Sequence, residues 1–225
     1  MTPRRICLIH TAPLMVQLFT PLCRDRLPDV KVTQIINESM IRDTIEGGRV
    51  RQPTIDALIA FAEASFKMGT ELVMVTCSSI GPAVDLIQSR FQKPVLRIDE
   101  PMAEAAVAQG RRIGIAATLR TTLEPTSDIL RRKAKEAGKQ VELVECLCDG
   151  AFEAVMTGDA ETHDALVSKA MVNKLGDVDV IVLAQASMAR VVDRLPPEAL
   201  TAPVLSSPGL AMDYLRERLA RLRPN

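Results

Sequence analysis

The sequence repeats itself at a nearly constant interval, and this internal duplication is the strongest constraint on its fold. The segment Arg4–Thr11 returns as Arg111–Thr118, an offset of 107 positions. Two further pairs of segments follow in the same order, with offsets of 108 and 109 positions: Glu71–Ser79 with Asp179–Ser187, and Lys93–Leu96 with Ala202–Leu205. Three ordered matches predict two copies of one structural unit within the chain.

Within each copy, short apolar runs alternate with longer amphipathic segments. The runs are continuous and rich in Val and Ile, which is typical of parallel strands covered by helices on both faces. The alternation therefore predicts an α/β fold made of two pseudo-symmetric parallel-sheet domains. The predicted strands are Ile6–His10, Val32–Ile36, Leu72–Thr76, Val95–Ile98, Ile113–Ala117, Val141–Val144, Val178–Leu183 and Val204–Ser206. The predicted helices are Thr54–Lys67, Gly81–Arg90, Met102–Gln109, Ser127–Ala137, His163–Lys174 and Leu210–Leu222.

No low-complexity linker separates the two copies, and the segment that joins them, Ile98–Met102, is short. We therefore expect the domains to lie close together, with the active site in the cleft between them. The last strand and helix are expected to pack back on the first half. The predicted domains are residues 1–98 with 204–225, and residues 99–203.

Composition excludes several classes of partner. The 28 basic and 28 acidic residues cancel, and with five Phe, one Tyr and no Trp the chain lacks stacking platforms, so we expect no nucleic-acid partner. No apolar run is long enough to span a bilayer, so no membrane partner is expected either. Five cysteines without the spacing of a disulfide scaffold favour reduced thiols and a cytoplasmic location.

Cys77 is the residue with the clearest chemical potential. It follows a predicted strand and precedes Ser78, Ser79 and a helix, and ligands in open parallel sheets bind at the carboxyl ends of strands. Backbone N–H groups at a helix start favour an anion, so we expect a lowered pKa for this thiol. Ser78 and Ser79 are candidates to hold a carboxylate or a developing enolate oxygen. The alternative is a buried structural cysteine.

The strand-Cys-Ser-Ser motif and its echo in the second copy resemble the aspartate/glutamate/hydantoin racemase superfamily, whose relatives include maleate isomerase and arylmalonate decarboxylase. The resemblance implies an Asp/Glu racemase-like fold and chemistry that uses no pyridoxal phosphate or other cofactor. It covers nearly the whole chain, at Ile6–Pro13, Val73–Pro82, Arg112–Thr122, Val180–Met188 and Val204–Ser207.

In the racemases of that family each half supplies one cysteine, and the pair exchanges a proton at the substrate's α-carbon. Cys77 matches the first cysteine, but Gln185 stands where the second is expected, and an amide cannot exchange a proton at a useful pKa. Two alternatives remain for the missing second acid–base group. His10 ends the first strand, where the family places a polar helper, and can act as a base; the alternative is a structural histidine hydrogen-bonded there. The second alternative is a single proton donor, as in arylmalonate decarboxylase, although that enzyme's lone cysteine belongs to the second half.

The resemblance also implies that the loop after the fifth strand holds a substrate carboxylate. Helix capping is the competing role for Thr118 and is favoured for Thr122. Ser206, Ser207 and Arg120 are weaker candidates. The predicted substrate-binding residues are Thr11, Ser78, Ser79, Thr118, Thr121, Gln185 and Ser187.

We therefore expect a cofactor-independent racemase or isomerase that transfers a proton next to a carboxylate or carbonyl group, with Cys77 and His10 as catalytic candidates. The alternatives are a decarboxylase-like lyase with one proton donor, and an inactive homologue that binds a small acid. The expected partner is a small carboxylate substrate, and the resemblance allows a homo-oligomer. No metal site is expected, because Cys146 and Cys148 form a C-x-C motif without further ligands to complete a zinc set.

Overall fold

The structure is a computed structural model that describes residues 4–196 and 198–221. Two compact units divide the chain: one comprises the residues up to Glu100 together with those from Pro208 onward, and the other comprises Pro101–Ser207. The strands are β1 (Arg4–His10), β2 (Val30–Ile36), β3 (Leu72–Val75), β4 (Val95–Arg97), β5 (Arg112–Ala117), β6 (Glu142–Leu147), β7 (Val180–Leu183) and β8 (Val204–Ser206). The helices are α1 (Leu14–Arg26), α2 (Glu38–Gly47), α3 (Gln52–Lys67), α4 (Gly81–Ile87), α5 (Glu100–Gln109), α6 (Arg120–Glu136), α7 (Ala151–Met156), α8 (Ala160–Lys174), α9 (Ala189–Val192) and α10 (Ser207–Arg221).

The two units contain sheets of the same topology. Their strand orders are β2-β1-β3-β4 and β6-β5-β7-β8, and all pairs are parallel. The register repeats as well, because Ile6 lies opposite Leu72 in the first sheet and Ile113 lies opposite Val180 in the second. The α/β fold with two parallel sheets and the internal duplication are therefore confirmed.

The central strands β1 and β3 of the first sheet are buried on both faces, which explains their continuous apolar runs, whereas partly buried and exposed residues alternate over most of the edge strand β2. Alternate residues of a strand point to opposite faces. Ile6 and Leu8 pack with Phe19 of α1 and with α10, whereas Cys7 and Ile9 pack with residues of α2, α3 and α4. A strand covered on both sides has no polar face, so alternation of polar and apolar residues is absent.

The second sheet is covered in a comparable way. Ile181 and Leu183 of β7 pack with Val167 and Met171 of α8 and with Met188, which follows the strand. Gly114 in β5 allows this packing to be close, because a Cβ there would lie 3.0 Å from a methyl group of Leu175. One face of the second sheet is therefore buried under α8 and the residues that follow β7.

Two expectations about the chain's organisation are wrong. The strand β8 pairs with β7 in the second sheet, so residues 204–206 do not join the first half; only the following helix, α10, packs in the core of the first unit. The helix α6 begins at Arg120 rather than at Ser127. Pro125 in its second turn hides this start in the sequence, because proline inside a helix usually signals a break.

Within residues 4–196 and 198–221, no helix combines the length and apolar character needed to cross a lipid bilayer.

The return of α10 to the first unit can be tested at Leu215, which is fully buried against the sheet. Replacing Leu215 with Ala should lower the free energy of unfolding by about 2–5 kcal/mol, because the change leaves a cavity. Urea denaturation measures this loss. The control is Leu86→Ala on α4, where the side chain is 63% exposed, with an expected change within about 0.5 kcal/mol. Equal, small effects at both positions would contradict the packing of α10.

Candidate active site

Cys77 lies just beyond the carboxyl end of β3, in extended backbone that leads into a 3₁₀ turn at Ser78–Ile80. The Thr76 N–H donates to the carbonyl of Ile9 at 3.0 Å, and the Cys77 carbonyl accepts from the Ile80 N–H at 3.2 Å. Both bonds fix the backbone on either side of the thiol. Cys77 is partly exposed, whereas the other cysteines are buried: Cys7, Cys23, Cys146 and Cys148.

Hydrogen-bond donors surround the Cys77 sulfur. Burial raises the pKa of this thiol, while the hydroxyls of Thr11 and Ser79 and the backbone N–H groups of Ser79 and Ile80 lower it by less. The expected lowering of the Cys77 pKa is therefore wrong in its net direction, because removal from water disfavours the thiolate more than the donors favour it. At neutral pH the group is a protonated thiol, which suits a proton donor.

His10, the predicted base, is fully buried. Its Nδ1 lies 2.6 Å from the hydroxyl oxygen of Thr76, and its Nε2 lies 2.9 Å from Oε1 of Gln34. The Gln34 oxygen only accepts, so Nε2 carries the proton. The single hydrogen of the Thr76 hydroxyl is shared between Nδ1 of His10 and the carbonyl of Ile9, which lies 3.1 Å from the same oxygen. Burial lowers the pKa of His10, and the bond to Gln34 opposes this in part. A neutral ring with both nitrogens bonded matches the structural alternative rather than an accessible base.

Gln185 occupies in the second unit the position that Cys77 occupies in the first. Cys77 has backbone angles of −126° and 112°, Gln185 has −131° and 134°, and a 3₁₀ turn follows each. Thr118, the counterpart of Thr11, donates its N–H to Oε1 of Gln185 at 2.7 Å, and Nε2 of Gln185 donates to the Thr118 hydroxyl at 2.7 Å. The duplicated strand end thus pairs a threonine with a thiol in one unit and with an amide in the other.

The loop after β5 contains a second polar feature. Leu119 is the N-cap residue of α6, so neither Thr118 nor Thr122 caps this helix, and the capping interpretation is wrong for both. Thr121 lies in the first helical turn, and its hydroxyl oxygen is buried without a hydrogen-bond partner among the described residues. A buried hydroxyl without a partner is rare in folded proteins, which makes Thr121 a candidate donor to a ligand.

The remaining predicted residues differ in exposure. Ser78 and Ser207 are buried, Ser187 and Ser206 are partly exposed, and Arg120 is exposed. Across residues 4–196 and 198–221, no three His, Cys, Asp or Glu side chains are grouped so that they could hold a metal ion.

Sequence reasoning missed a buried ion cluster near Cys77. Arg97 at the end of β4 forms ion pairs with Asp99 and Asp85, and its guanidinium lies against Gly81 at the start of α4. The signal was present in the sequence, since Arg97 and Asp99 flank Ile98 at the end of an apolar strand. Charged residues in such a position are rarely buried unless they are paired.

Comparison with known proteins identifies a protein family and individual relatives that are similar to this chain. The model of the Asp/Glu/Hydantoin racemase family matches residues 9–215. A glutamate racemase from Trichodesmium erythraeum is 34% identical over 83 residues, which are 36% of this chain and 30% of the relative. One from Picosynechococcus is 44% identical over 54 residues, 24% of this chain and 19% of the relative. The chain thus aligns with less than a third of the length of these two relatives.

Solved structures resemble the chain over almost its whole length. A glutamate racemase from Bacillus anthracis has a TM-score of 0.74 at 14% identity, covering 96% of this chain and 82% of that one. An aspartate racemase from Picrophilus torridus has a TM-score of 0.72 at 12% identity, with coverage of 98% and 96%. An allantoin racemase from Klebsiella pneumoniae has a TM-score of 0.69 at 18% identity, with coverage of 96% and 87%. At these identities the likeness bears on the fold alone.

The environment of His10 predicts a pH dependence of stability. The ordinary histidine pKa is 6.5 and the folded value is lower, so below pH 6.5 the unfolded chain binds a proton that the folded chain excludes. His10 therefore contributes stability above this pH that is lost as the pH falls. In urea denaturation between about pH 5 and 8, His10→Gln should be less stable than the parent at the upper end, and the difference should narrow toward the lower end. Parallel curves for parent and variant would contradict this account.

Proposed function

This chain belongs to the Asp/Glu/hydantoin racemase family, and we propose that it catalyses proton transfer at a carbon next to a carboxylate or carbonyl group, without an organic cofactor. The observation that carries the proposal is Cys77, a partly exposed residue at the end of β3 whose thiol is enclosed by donors from Thr11, Ser79 and Ile80. The named relatives are racemases of glutamate, aspartate and allantoin. The proposed substrates are accordingly an amino acid, a hydantoin or a related small acid.

The proposed role of Cys77 is that of the acid–base group. Its neutral thiol gives a proton to a carbanionic carbon, and the resulting thiolate is stabilised by the hydroxyl of Thr11 and by the backbone N–H groups of Ser79 and Ile80. Solvent then returns a proton to the sulfur. In the opposite direction the thiolate removes the proton from the α-carbon. Both directions keep the donor set in place, so little reorganisation accompanies the transfer.

The oxygens of the substrate need donors of their own, because an enolate develops negative charge during the transfer. In the first unit we propose Ser78 and Ser79, both buried beside Cys77. We also propose Thr118, Thr121 and Ser187; the Thr121 hydroxyl has no hydrogen-bond partner among the described residues.

Racemisation is the first candidate activity, and one-sided chemistry is the second. Gln185 favours the second, because its amide does not titrate and is held by both polar groups of Thr118. In one-sided chemistry, a substituted malonate loses CO₂ to leave an enediolate, and the Cys77 S–H supplies the proton that replaces the lost carboxylate. The raised pKa of Cys77 supports this candidate as well, because the thiol rests in its protonated form.

Cys77→Ala tests the acid–base role of Cys77, which both candidate activities share. The parent is incubated in D₂O with amino acids, hydantoins and substituted malonates, and NMR and chiral chromatography follow deuterium, CO₂ loss and configuration. The turnover rate of the variant should be about 10²–10⁴-fold lower than that of the parent, since an acid–base group contributes that much to the rate. Cys23→Ala is the control, because Cys23 is buried against Met212 in the core.

The pattern of products separates the candidates. Deuterium uptake with inversion indicates a racemase, uptake with retention indicates one-sided exchange, and CO₂ release indicates a lyase. If the free enzyme uses the thiol as an acid, kcat/KM falls as the pH rises through the pKa of Cys77; if it uses the thiolate as a base, kcat/KM rises there. Turnover that survives Cys77→Ala, or a parent that binds a small acid and turns over nothing, would refute the catalytic proposal.

Gln185→Cys tests whether the amide is what restricts the chemistry. The backbone at position 185 matches that at Cys77, and Thr118 offers a hydroxyl as Thr11 does. For a substrate whose α-hydrogen the parent exchanges with retention of configuration, the variant should also form the inverted enantiomer, which chiral chromatography measures. Gln185→Ser is the matched control, because a hydroxyl is too weak an acid or base to replace the thiol. Equal inversion in both variants would show that Gln185 does not limit the reaction.

A further inference from the structure

We propose that Arg97 is a positioning residue for Cys77: its buried guanidinium joins the end of β4 to the start of α4 and thereby holds the turn that supplies donors to the thiol. This inference rests on the proposed role of Cys77, but its test reads the thiol directly and needs no substrate.

The guanidinium of Arg97 is held on three sides by carboxylate oxygens. Nε and Nη2 donate to the two oxygens of Asp99 at 2.9 and 2.8 Å, and Nη1 donates to Asp85 at 2.5 Å. The Arg97 side chain is 4% exposed and that of Asp99 is fully buried. A bidentate ion pair of this kind fixes the plane of the guanidinium as well as its position.

That plane lies directly against the backbone of Gly81. A Cβ on Gly81 would lie 2.6 Å from Cζ and Nη2 of Arg97 and 2.7 Å from Nε. Only glycine leaves room for this approach. Asp85 lies one turn further along the same helix, so Arg97 holds α4 at two points, through contact with Gly81 and through the ion pair with Asp85.

The same residue is also tied to β3. Arg97 lies opposite Val75 in the parallel register, and the N–H of Ile98 donates to the Val75 carbonyl at 3.1 Å. The chain from Val75 to Gly81 therefore has both of its ends against the end of β4. Cys77 and the two donor residues Ser79 and Ile80 lie on that span.

Loosening this attachment should change the acidity of Cys77. The Ser79 and Ile80 donors lower the pKa of the thiol against the effect of burial, and they immediately precede Gly81. A shift of α4 lengthens their hydrogen bonds to sulfur, and the thiolate loses part of its stabilisation.

Arg97→Lys is the first test, because lysine keeps the positive charge and loses the planar fork. The measurement is the rate of Cys77 alkylation by iodoacetamide as a function of pH, followed by mass spectrometry of the Cys77 peptide. At each pH below the thiol's pKa the variant should react about threefold more slowly, and its profile should move to higher pH, as expected for a partial loss of one hydrogen bond. Arg4→Lys is the matched control, because Arg4 pairs with Glu71 at the amino end of β3, far along the strand from Cys77.

Asp85→Asn provides a second test if Arg97→Lys does not fold, since it weakens one attachment to α4 and leaves the Arg97–Asp99 pair intact. We expect the alkylation profile to shift in the same direction, toward higher pH, but by a smaller amount. A profile identical to the parent in a folded variant, or an equal shift in Arg4→Lys, would overturn the proposal and leave Arg97 a purely structural residue. Failure of the catalytic role would show separately, as turnover that persists in Cys77→Ala with the alkylation shift intact.

Discussion

The parallel pairing of β1 with β3 is the interaction on which the candidate site depends, and β5 and β7 repeat it. Parallel neighbours end at the same edge of a sheet, so the residue that follows one strand meets the residue that follows the other. Thr11 therefore reaches the thiol of Cys77, and Thr118 reaches the amide of Gln185. The site follows from the register of two strand pairs, with the covering helices fixing that register through the core.

Most of the fold could be predicted from the sequence, because buried parallel strands leave a strong and simple signal. Each predicted strand exists, with ends that differ by a few residues. The helix α1 was missed because Pro21 lies inside it, although Met15, Leu18, Phe19, Leu22 and Cys23 form an apolar stripe that packs against the core. The membership of β8 was misjudged because a short apolar run does not specify which sheet it joins.

The site could be predicted only in part. Position and residue type identified Cys77, Gln185 and their threonine partners as strand-end residues. The direction of the Cys77 pKa could not be predicted, since it is the difference between burial and hydrogen bonding, and burial depends on tertiary packing. The role of Arg97 was hidden for a similar reason, because its contact with Gly81 joins residues that only the fold brings together.

The likeness of the backbone at Cys77 and Gln185 has a consequence for how such a molecule can change over time. A threonine hydroxyl accepts from an amide and donates to a sulfur equally well, so the scaffold accommodates either side chain at the strand end. The side-chain chemistry at position 185 is in this sense separable from the architecture: a single codon changes the chemical group that the second copy presents at its strand end. A duplicated fold with this property can specialise one half and preserve the other.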